Sequence, residues 1–325
     1  MKTNLKNSLS TNKTLLILSI VTVLLGAISC VLGEIVTPFI AGVLSAIFLF
    51  DTKSKYAFST TVSVVLVAIN IASIVFGFAI TLFAPCAIIL SLIISLSFKK
   101  GESKADAAYL MTVISAVLAV VGYMIFAMGE IGSYTFDAAV DYYKNIVNEL
   151  RPIYVDGFYQ IYAASGLEVT AETISELFDQ QLKLIVSFLL IGGFITGGIA
   201  MKVFGAVVSR CAEDDEEIKN WRFSASRLYA YFYVILIILS LFTTSSTDLF
   251  SVCVLNLYNI FLVVFAYIGF NVALDMLKKR TRRPVVSNVL LIGVMIIFMS
   301  FALQILAALG TLHSMKRNGE ITDNK

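Results

Sequence analysis

The residues of this 325-residue chain that are best suited to bind another molecule lie in one apolar stretch, from Cys253 to Pro284. They are amides, a phenol and a carboxylate, spaced three, four or eight residues apart, so they drift slowly along one face of a helix. Lipid cannot satisfy such groups, and a membrane helix should therefore turn them toward a bundle or a cavity. The members of this polar stripe are Asn256, Asn259, Tyr267, Asn271 and Asp275.

The chemistry available to these side chains is hydrogen bonding to a small solute. Ordinary hydrogen bonding between helices is the competing interpretation of the stripe, and Asp275 is expected to form a structural ion pair with Lys278 or Lys279. No acidic residue lies deep in an apolar run, which argues against a carrier built on a membrane carboxylate. With the lone amides of two other runs added, the candidate solute-binding residues are Asn70, Asn256, Asn259, Tyr267, Asn271 and Gln304.

Signatures of catalysis and of metal binding are absent from the sequence. There is no H-E-x-x-H, no G-x-S-x-G and no pair of carboxylates in an apolar run. The only histidine is His313, and the four cysteines form no C-x-x-C motif. No G-K-[ST] follows the glycines at 192–198, so they are not a nucleotide loop. We therefore expect no catalytic residues, no metal and no cofactor, and loop 209–227 has no basic patch for nucleic acid.

Composition and apolar runs predict an all-α, polytopic transmembrane helical bundle. The chain is 58% hydrophobic and 14% charged, whereas soluble domains carry about a quarter charged residues. The runs predict about nine spans, with eight as the alternative if one run is a re-entrant or surface helix. The spans are Leu15–Leu32, Ile35–Phe50, two within Tyr56–Phe98 with a break near Gly77, Ala107–Met128, Leu182–Val208, Leu228–Thr244, one within Cys253–Pro284, and Val285–Leu312.

The distribution of cations predicts the orientation of the chain. Lysine and arginine concentrate in alternate loops, at 51–55, 99–104, 209–227 and 278–283. Because cytoplasmic loops of membrane proteins are enriched in these residues, we expect a cytoplasmic N-terminus in a bacterial cell membrane. Nine spans then place Lys316 and Arg317 outside, which is the one feature that disagrees.

One acidic segment, residues 129–181, interrupts the apolar pattern with nine acids against two bases. Apolar residues from Phe136 to Leu150 follow the spacing of an amphipathic helix, which Pro152 and Gly157 are expected to end, and Thr170 is expected to cap a second helix. We expect this insert to rest on the membrane or the bundle, or alternatively to form a lid. The predicted divisions are an N-terminal bundle of five spans at 1–128, the extracytoplasmic insert at 129–181, a C-terminal bundle of four spans at 182–312 with cytoplasmic loop 209–227, and a polar tail at 313–325.

Two groups of small residues have the small-x-x-x-small spacing that lets membrane helices approach closely. Internal helix packing is the expected role of both groups, and a docking face for a partner subunit is the alternative. The groups are Gly42 with Ala46, and Gly193 with Gly197.

The C-terminal third resembles a known family. Trp221-Arg222-Phe223 leads into a span, and a helix with Asn256 or Asn259 then carries Tyr267-Ile268-Gly269-Phe270. With the chain length and the large loop before the sixth span, this pattern resembles the YybS-like family of bacterial membrane proteins. The N-terminal helices of that family are similar to the substrate-binding S components of energy-coupling-factor transporters.

The resemblance implies a subunit that binds a small solute and needs a separate energising partner. The expected partners are then the lipid bilayer, a small-molecule solute and the energising transporter subunits, with no nucleic acid. The alternative from another class is a non-transporting scaffold or envelope-assembly protein that acts through its extracytoplasmic insert.

Overall fold

The computed structural model describes residues 12–51, 55–76, 82–102, 104–211, 225–243, 248–281, 293 and 299–316. Within these ranges the regular structure is helical throughout, with one 3₁₀ turn at Gly33–Val36, which confirms the all-α prediction. The helices are α1 (Asn12–Leu32), α2 (Thr37–Phe50), α3 (Ala57–Val75), α4 (Phe83–Lys100), α5 (Lys104–Ile131), α6 (Phe136–Ala164), α7 (Ala171–Lys183), α8 (Ile185–Cys211), α9 (Arg227–Thr243), α10 (Leu249–Thr281) and α11 (Met299–Lys316).

The apolar helices agree with the predicted multi-pass membrane architecture. Among the described residues, six helices are long and apolar enough to cross a membrane, namely α1, α3, α4, α5, α8 and α10. Two shorter apolar helices, α2 and α9, coincide with two further predicted spans. The ninth predicted span lies partly outside the described ranges, and its described end, α11, continues beyond Leu312 to Lys316. The predicted break at Gly77 and the Trp221–Phe223 motif also lie outside them.

The chain divides into two compact units. The first comprises residues 1–182 and 192–222, and the second comprises residues 183–191 and 223–325. Helix α8 therefore contributes its first seven residues to the second unit and the remainder to the first. The predicted division into two membrane bundles and an insert is defined relative to a membrane, and it stays a prediction.

The core of the first unit is built around α2. This helix has 14 residues, about 21 Å of rise, and is too short to cross a hydrocarbon layer of about 30 Å by itself. Eleven of its residues are buried, including Ile40, Leu44 and Ile47, so neighbouring helices cover it on most sides. The hydroxyl of Ser91 on α4 donates a hydrogen bond of 3.0 Å to the carbonyl of Ala41 on α2.

A buried carboxylate sets the turn from α2 into α3. Asp51 is fully buried, and its Oδ2 accepts hydrogen bonds from the backbone N–H of Ser59 at 2.7 Å and from its hydroxyl at 2.9 Å. Lys55 and Tyr56 adopt φ values of 52° and 65°, a conformation that non-glycine residues rarely adopt. Tyr56 precedes α3 without a side-chain cap, so Asp51 supplies the acceptor that the helix start requires.

The insert forms a helical hairpin of α6 and α7. The prediction that Pro152 and Gly157 end the first helix is wrong, because α6 runs unbroken from Phe136 to Ala164. Proline removes one backbone hydrogen bond, but the side chains of Arg151 and Tyr154 on either side of it contact Phe178 of α7 and hold the helix there. The predicted cap at Thr170 is confirmed by a 3.2 Å hydrogen bond from the N–H of Thr173 to the Thr170 hydroxyl.

In the second unit, α10 and α11 touch backbone to backbone. A Cβ atom added at Gly269 would overlap the carbonyl oxygen of Leu306, and one added at Gly310 would overlap that of Phe265. No side chain fits at either position. Both positions therefore require glycine, the same reason for which small residues are enriched where membrane helices cross.

This contact predicts a large difference between two glycine substitutions. We expect Gly269→Ala to lower the free energy of unfolding by about 3 kcal/mol or more, because the helices must separate to admit the methyl group. The matched control is Gly205→Ala on α8, where nothing lies within 4 Å and alanine favours the helix by about 0.5–1 kcal/mol. Thermal unfolding in detergent compares the two, and equal melting temperatures would contradict the close crossing.

Candidate functional site

The six predicted solute-binding residues are distributed over both compact units. Asn70 belongs to the first unit, and the other five belong to the second. Four of these five share the single helix α10, and Gln304 lies on the neighbouring helix α11, where its side chain is exposed. The side chains of Lys278 and Lys279 lie outside the described residues, so the ion pair expected for Asp275 stays a prediction.

Asn256 uses its whole amide group in hydrogen bonds to backbone. Its Oδ1 accepts from the N–H of Ser187 at 2.8 Å, and its Nδ2 donates to the carbonyls of Lys183 at 2.7 Å and Val252 at 2.8 Å. Lys183 is the last residue of α7 and Ser187 is the third of α8, with only Leu184 between the two helices. The side chain is 7% exposed, and its bonds fix the local turn at the start of α8.

Asn70 caps the start of another helix, α4. Its Oδ1 accepts a hydrogen bond of 3.2 Å from the N–H of Ala84, in the first turn of α4. The residue before that helix is Leu82, which has no acceptor to cap it. The buried Asn70, which belongs to another helix, therefore replaces the missing capping side chain. Asn256 has the same role at the start of α8, which follows Leu184.

Three other residues of the polar stripe are less buried than Asn256. Tyr267, Asn259 and Asn271 are half-buried, and each asparagine donates from Nδ2 to the carbonyl four residues earlier in α10, at 2.9 Å in both cases. Within the described part of the chain, neither of these two asparagines receives a hydrogen bond at Oδ1. These amide oxygens are acceptors that α10 can offer to a solute or to another helix.

A cleft of about 450 Å³ opens between the end of α5 and the start of α6. The hydroxyl of Tyr143 closes one side by donating a hydrogen bond of 2.6 Å to the carbonyl of Tyr123, and burial raises the pKa of this phenol. Lys144 at the rim is paired with Asp141 at 3.0 Å, so its charge is partly compensated. The lining residues are Met124, Val140, Tyr143, Lys144, Val147 and Asn148.

The hairpin is locked by one arginine. Arg151 on α6 donates from both terminal nitrogens to the carboxylate of Asp179 on α7, at 3.1 and 2.5 Å, and also to the hydroxyl of Ser175 at 3.0 Å. The guanidinium carbon lies 5.3 Å from the ring centre of Phe178. The hydrogen bond to Asp179 raises the pKa of Arg151. This ion pair was not predicted from the sequence. A signal for it was present, because Arg151 is one of only two basic residues beside nine acidic residues in the segment 129–181.

The predicted small-residue positions lie at close contacts within the first unit. An added Cβ at Gly42 would lie 2.6 Å from Cβ of Val203, and one at Gly193 would lie 2.5 Å from the carbonyl oxygen of Thr112. At Gly197 the nearest atom is Cβ of Met111 at 3.1 Å, and Ala46 is fully buried. The tighter crossing at Gly269 and Gly310 was not identified as a packing site from the sequence.

The described residues contain no group of three or more His, Cys, Asp or Glu side chains that could hold a metal ion. The arrangement offers hydrogen-bond acceptors on α10 and a hairpin closed by a charged pair.

The bonds of Asn256 predict a position-specific loss of stability. We expect Asn256→Leu to cost about 1–3 kcal/mol for each buried backbone group that loses its partner, and to speed hydrogen exchange at the amide of Ser187. Asn259→Leu is the control, because it loses only one bond within its own helix. If both variants unfold at the same temperature and Ser187 stays protected, the capping role is refuted.

Comparison with known proteins supports the membrane architecture. Residues 17–312 match the model of a family described as predicted membrane protein, DUF2232. No curated protein and no solved structure matches this chain. Because the matched region covers most of the chain, this protein belongs to the predicted membrane protein family DUF2232.

Proposed function

We propose that this protein is a multi-pass protein of the bacterial cell membrane that presents the hairpin α6–α7 to a protein partner outside the cytoplasm. It would act as a scaffold or envelope-assembly protein. The observation that carries this proposal is the lock between Arg151 and Asp179, which gives the insert a defined shape. A binding element that is already ordered loses less conformational entropy when its partner docks.

The charge of the insert suggests the chemistry of the partner. Residues 129–181 carry nine acids and two bases, and Arg151 and Lys144 are each paired with an acid of the same segment. The remaining carboxylates favour a partner with a basic surface, because complementary charge speeds association and suppresses wrong partners. The alternation of basic loops supports placing this segment outside and the N-terminus in the cytoplasm.

The second candidate function is a solute-binding membrane subunit of the S-component type, which requires separate energising subunits. The specific observation in its favour is that the half-buried Asn259 and Asn271 keep acceptor oxygens on one helix. The bonds of Asn70 and Asn256 weaken this candidate, because acceptors used to cap helices are poor solute ligands. Neither function includes a catalytic step, and the expectation of a non-enzyme stays a prediction.

Two sets of variants separate the two functions. We expect Asp179→Asn to abolish complementation of a deletion strain and to weaken partner co-purification about tenfold or more, since it removes a charge-assisted bidentate bond. Glu168→Gln in the turn between α6 and α7 is the charge-matched control and should retain both. The double variant Asn259→Leu with Asn271→Leu should also remain active.

The opposite results for these variants would refute the proposed scaffold function. If Asp179→Asn complements fully at an equal membrane level while the double asparagine variant fails, the solute-binding function replaces it. Native mass spectrometry of gently purified protein then provides the deciding observation. A co-purifying small molecule that the double variant loses would identify the solute class.

A further inference from the structure

We propose that the cleft between α5 and α6 binds one phospholipid with a primary ammonium head group, whose acyl chain lies along α5. The cleft has a volume of about 450 Å³, which is typical of a small-molecule site, and most of its lining is apolar. Lys144 and Asn148 supply polar groups at its exposed rim. This lipid site goes beyond the proposed scaffold function and does not depend on it.

The cleft opens beside the bridge between α5 and α6. Near the turn that joins the two helices, Ala127 and Ala139 are both fully buried, as expected where small side chains let helices approach. Four residues after Ala139, the connection is made by the long side chain of Tyr143, whose hydroxyl reaches the carbonyl of Tyr123. A gap that a tyrosine side chain bridges is wider than one closed by alanines, so there is room for a ligand at this level.

An exposed apolar track on α5 continues from the cleft. Val121, Val120 and Val117 come three, four and seven residues before Met124, which lines the cleft, so all four residues share one face of the helix. The three valines are 43%, 40% and 55% exposed. The track is about 10 Å long, and an acyl chain that enters the cleft can lie along it.

The position of Met124 along α5 places the cleft at one boundary of the hydrocarbon layer. Helix α5 is a candidate membrane span that begins at Lys104, beside the basic loop expected in the cytoplasm. Met124 comes twenty residues later, about 30 Å along the helix, and the hydrocarbon layer is about 30 Å thick. The valine track then lies at the depth of acyl chains, and a membrane lipid is the amphiphile that meets this cleft at the highest concentration.

The ion pair at the rim indicates the head group. Asp141 accepts a hydrogen bond of 3.0 Å from Lys144, and both side chains are largely exposed. The ammonium of Lys144 keeps donors for a phosphate oxygen, while the carboxylate of Asp141 keeps acceptor sites for an ammonium of the lipid. A zwitterionic head group therefore matches both charges. A primary ammonium is favoured over a trimethylammonium group, because only the primary group donates hydrogen bonds.

Helix α7 leaves the cleft open. Tyr154 and Phe158 of α6 form an aromatic cluster with Phe178 of α7, with ring centres 4.4 Å apart between the first pair and 5.0 Å apart between Tyr154 and Phe178. Tyr154 follows Lys144 by ten residues, which is about 15 Å of helix. The residues that line the cleft all belong to α5 and α6, so closing the hairpin does not fill it.

The test titrates the delipidated full chain in detergent with phosphatidylethanolamine, phosphatidylcholine or phosphatidylglycerol of identical acyl chains, and counts bound lipids by native mass spectrometry. We expect one phosphatidylethanolamine to bind about fivefold more tightly than either other lipid. Val147→Trp fills the cleft and should weaken this binding about tenfold or more. The matched control is Val64→Trp on α3, where the native side chain is 63% exposed, and it should bind as the unaltered protein does.

Asp141→Asn tests the head group separately from the cleft. It should remove the preference for phosphatidylethanolamine over phosphatidylglycerol while one lipid still binds. Equal affinities of the unaltered protein for the three lipids would overturn the proposal, and so would undiminished binding by Val147→Trp. Val140→Trp, at another position of the lining, replaces Val147→Trp if that variant does not elute as a monodisperse protein.

Discussion

The structure depends on satisfying the backbone groups at helix starts where water is scarce. Each helix begins with N–H groups that have no partner within the helix, and leaving them bare in a low-dielectric environment is costly. Three buried side chains meet this need from a distance. Asp51 binds the start of α3, Asn70 that of α4, and Asn256 that of α8.

These caps explain why polar side chains occur in the apolar runs. A buried amide stabilises a membrane protein only when its donors and acceptors are matched, and Asn256 matches all of its bonds with backbone groups. The same chemistry that identifies a residue as a candidate ligand therefore also makes it a good cap. Among the described residues, Asn259 and Asn271 bond only within their own helix, so a binding role for them is still open to test.

The hairpin of α6 and α7 is amphipathic rather than apolar, and contacts between side chains hold its two helices together. One arginine, held by Asp179 and placed against Phe178, closes the hairpin and stabilises α6 where Pro152 weakens it. The lock and the aromatic cluster use one side of α6, and Leu150, Ile153 and Ile161 are left on another. The hairpin thus has one face that packs internally and another with exposed apolar side chains.

The sequence by itself determined the helical membrane architecture, since runs of apolar residues interrupted by charges can fold within lipid only as spanning helices. It also located the cap at Thr170, because a helix cap is a local pattern. Only the tertiary structure decided what the individual residues do. The partners of Asn70 and Asn256 lie 14 and 69 residues away along the chain, and the partner of Arg151 lies 28 residues away. The periodicity of a sequence shows which residues lie on the same face of a helix. Which backbone group or side chain contacts that face is decided by packing between residues that are far apart along the chain.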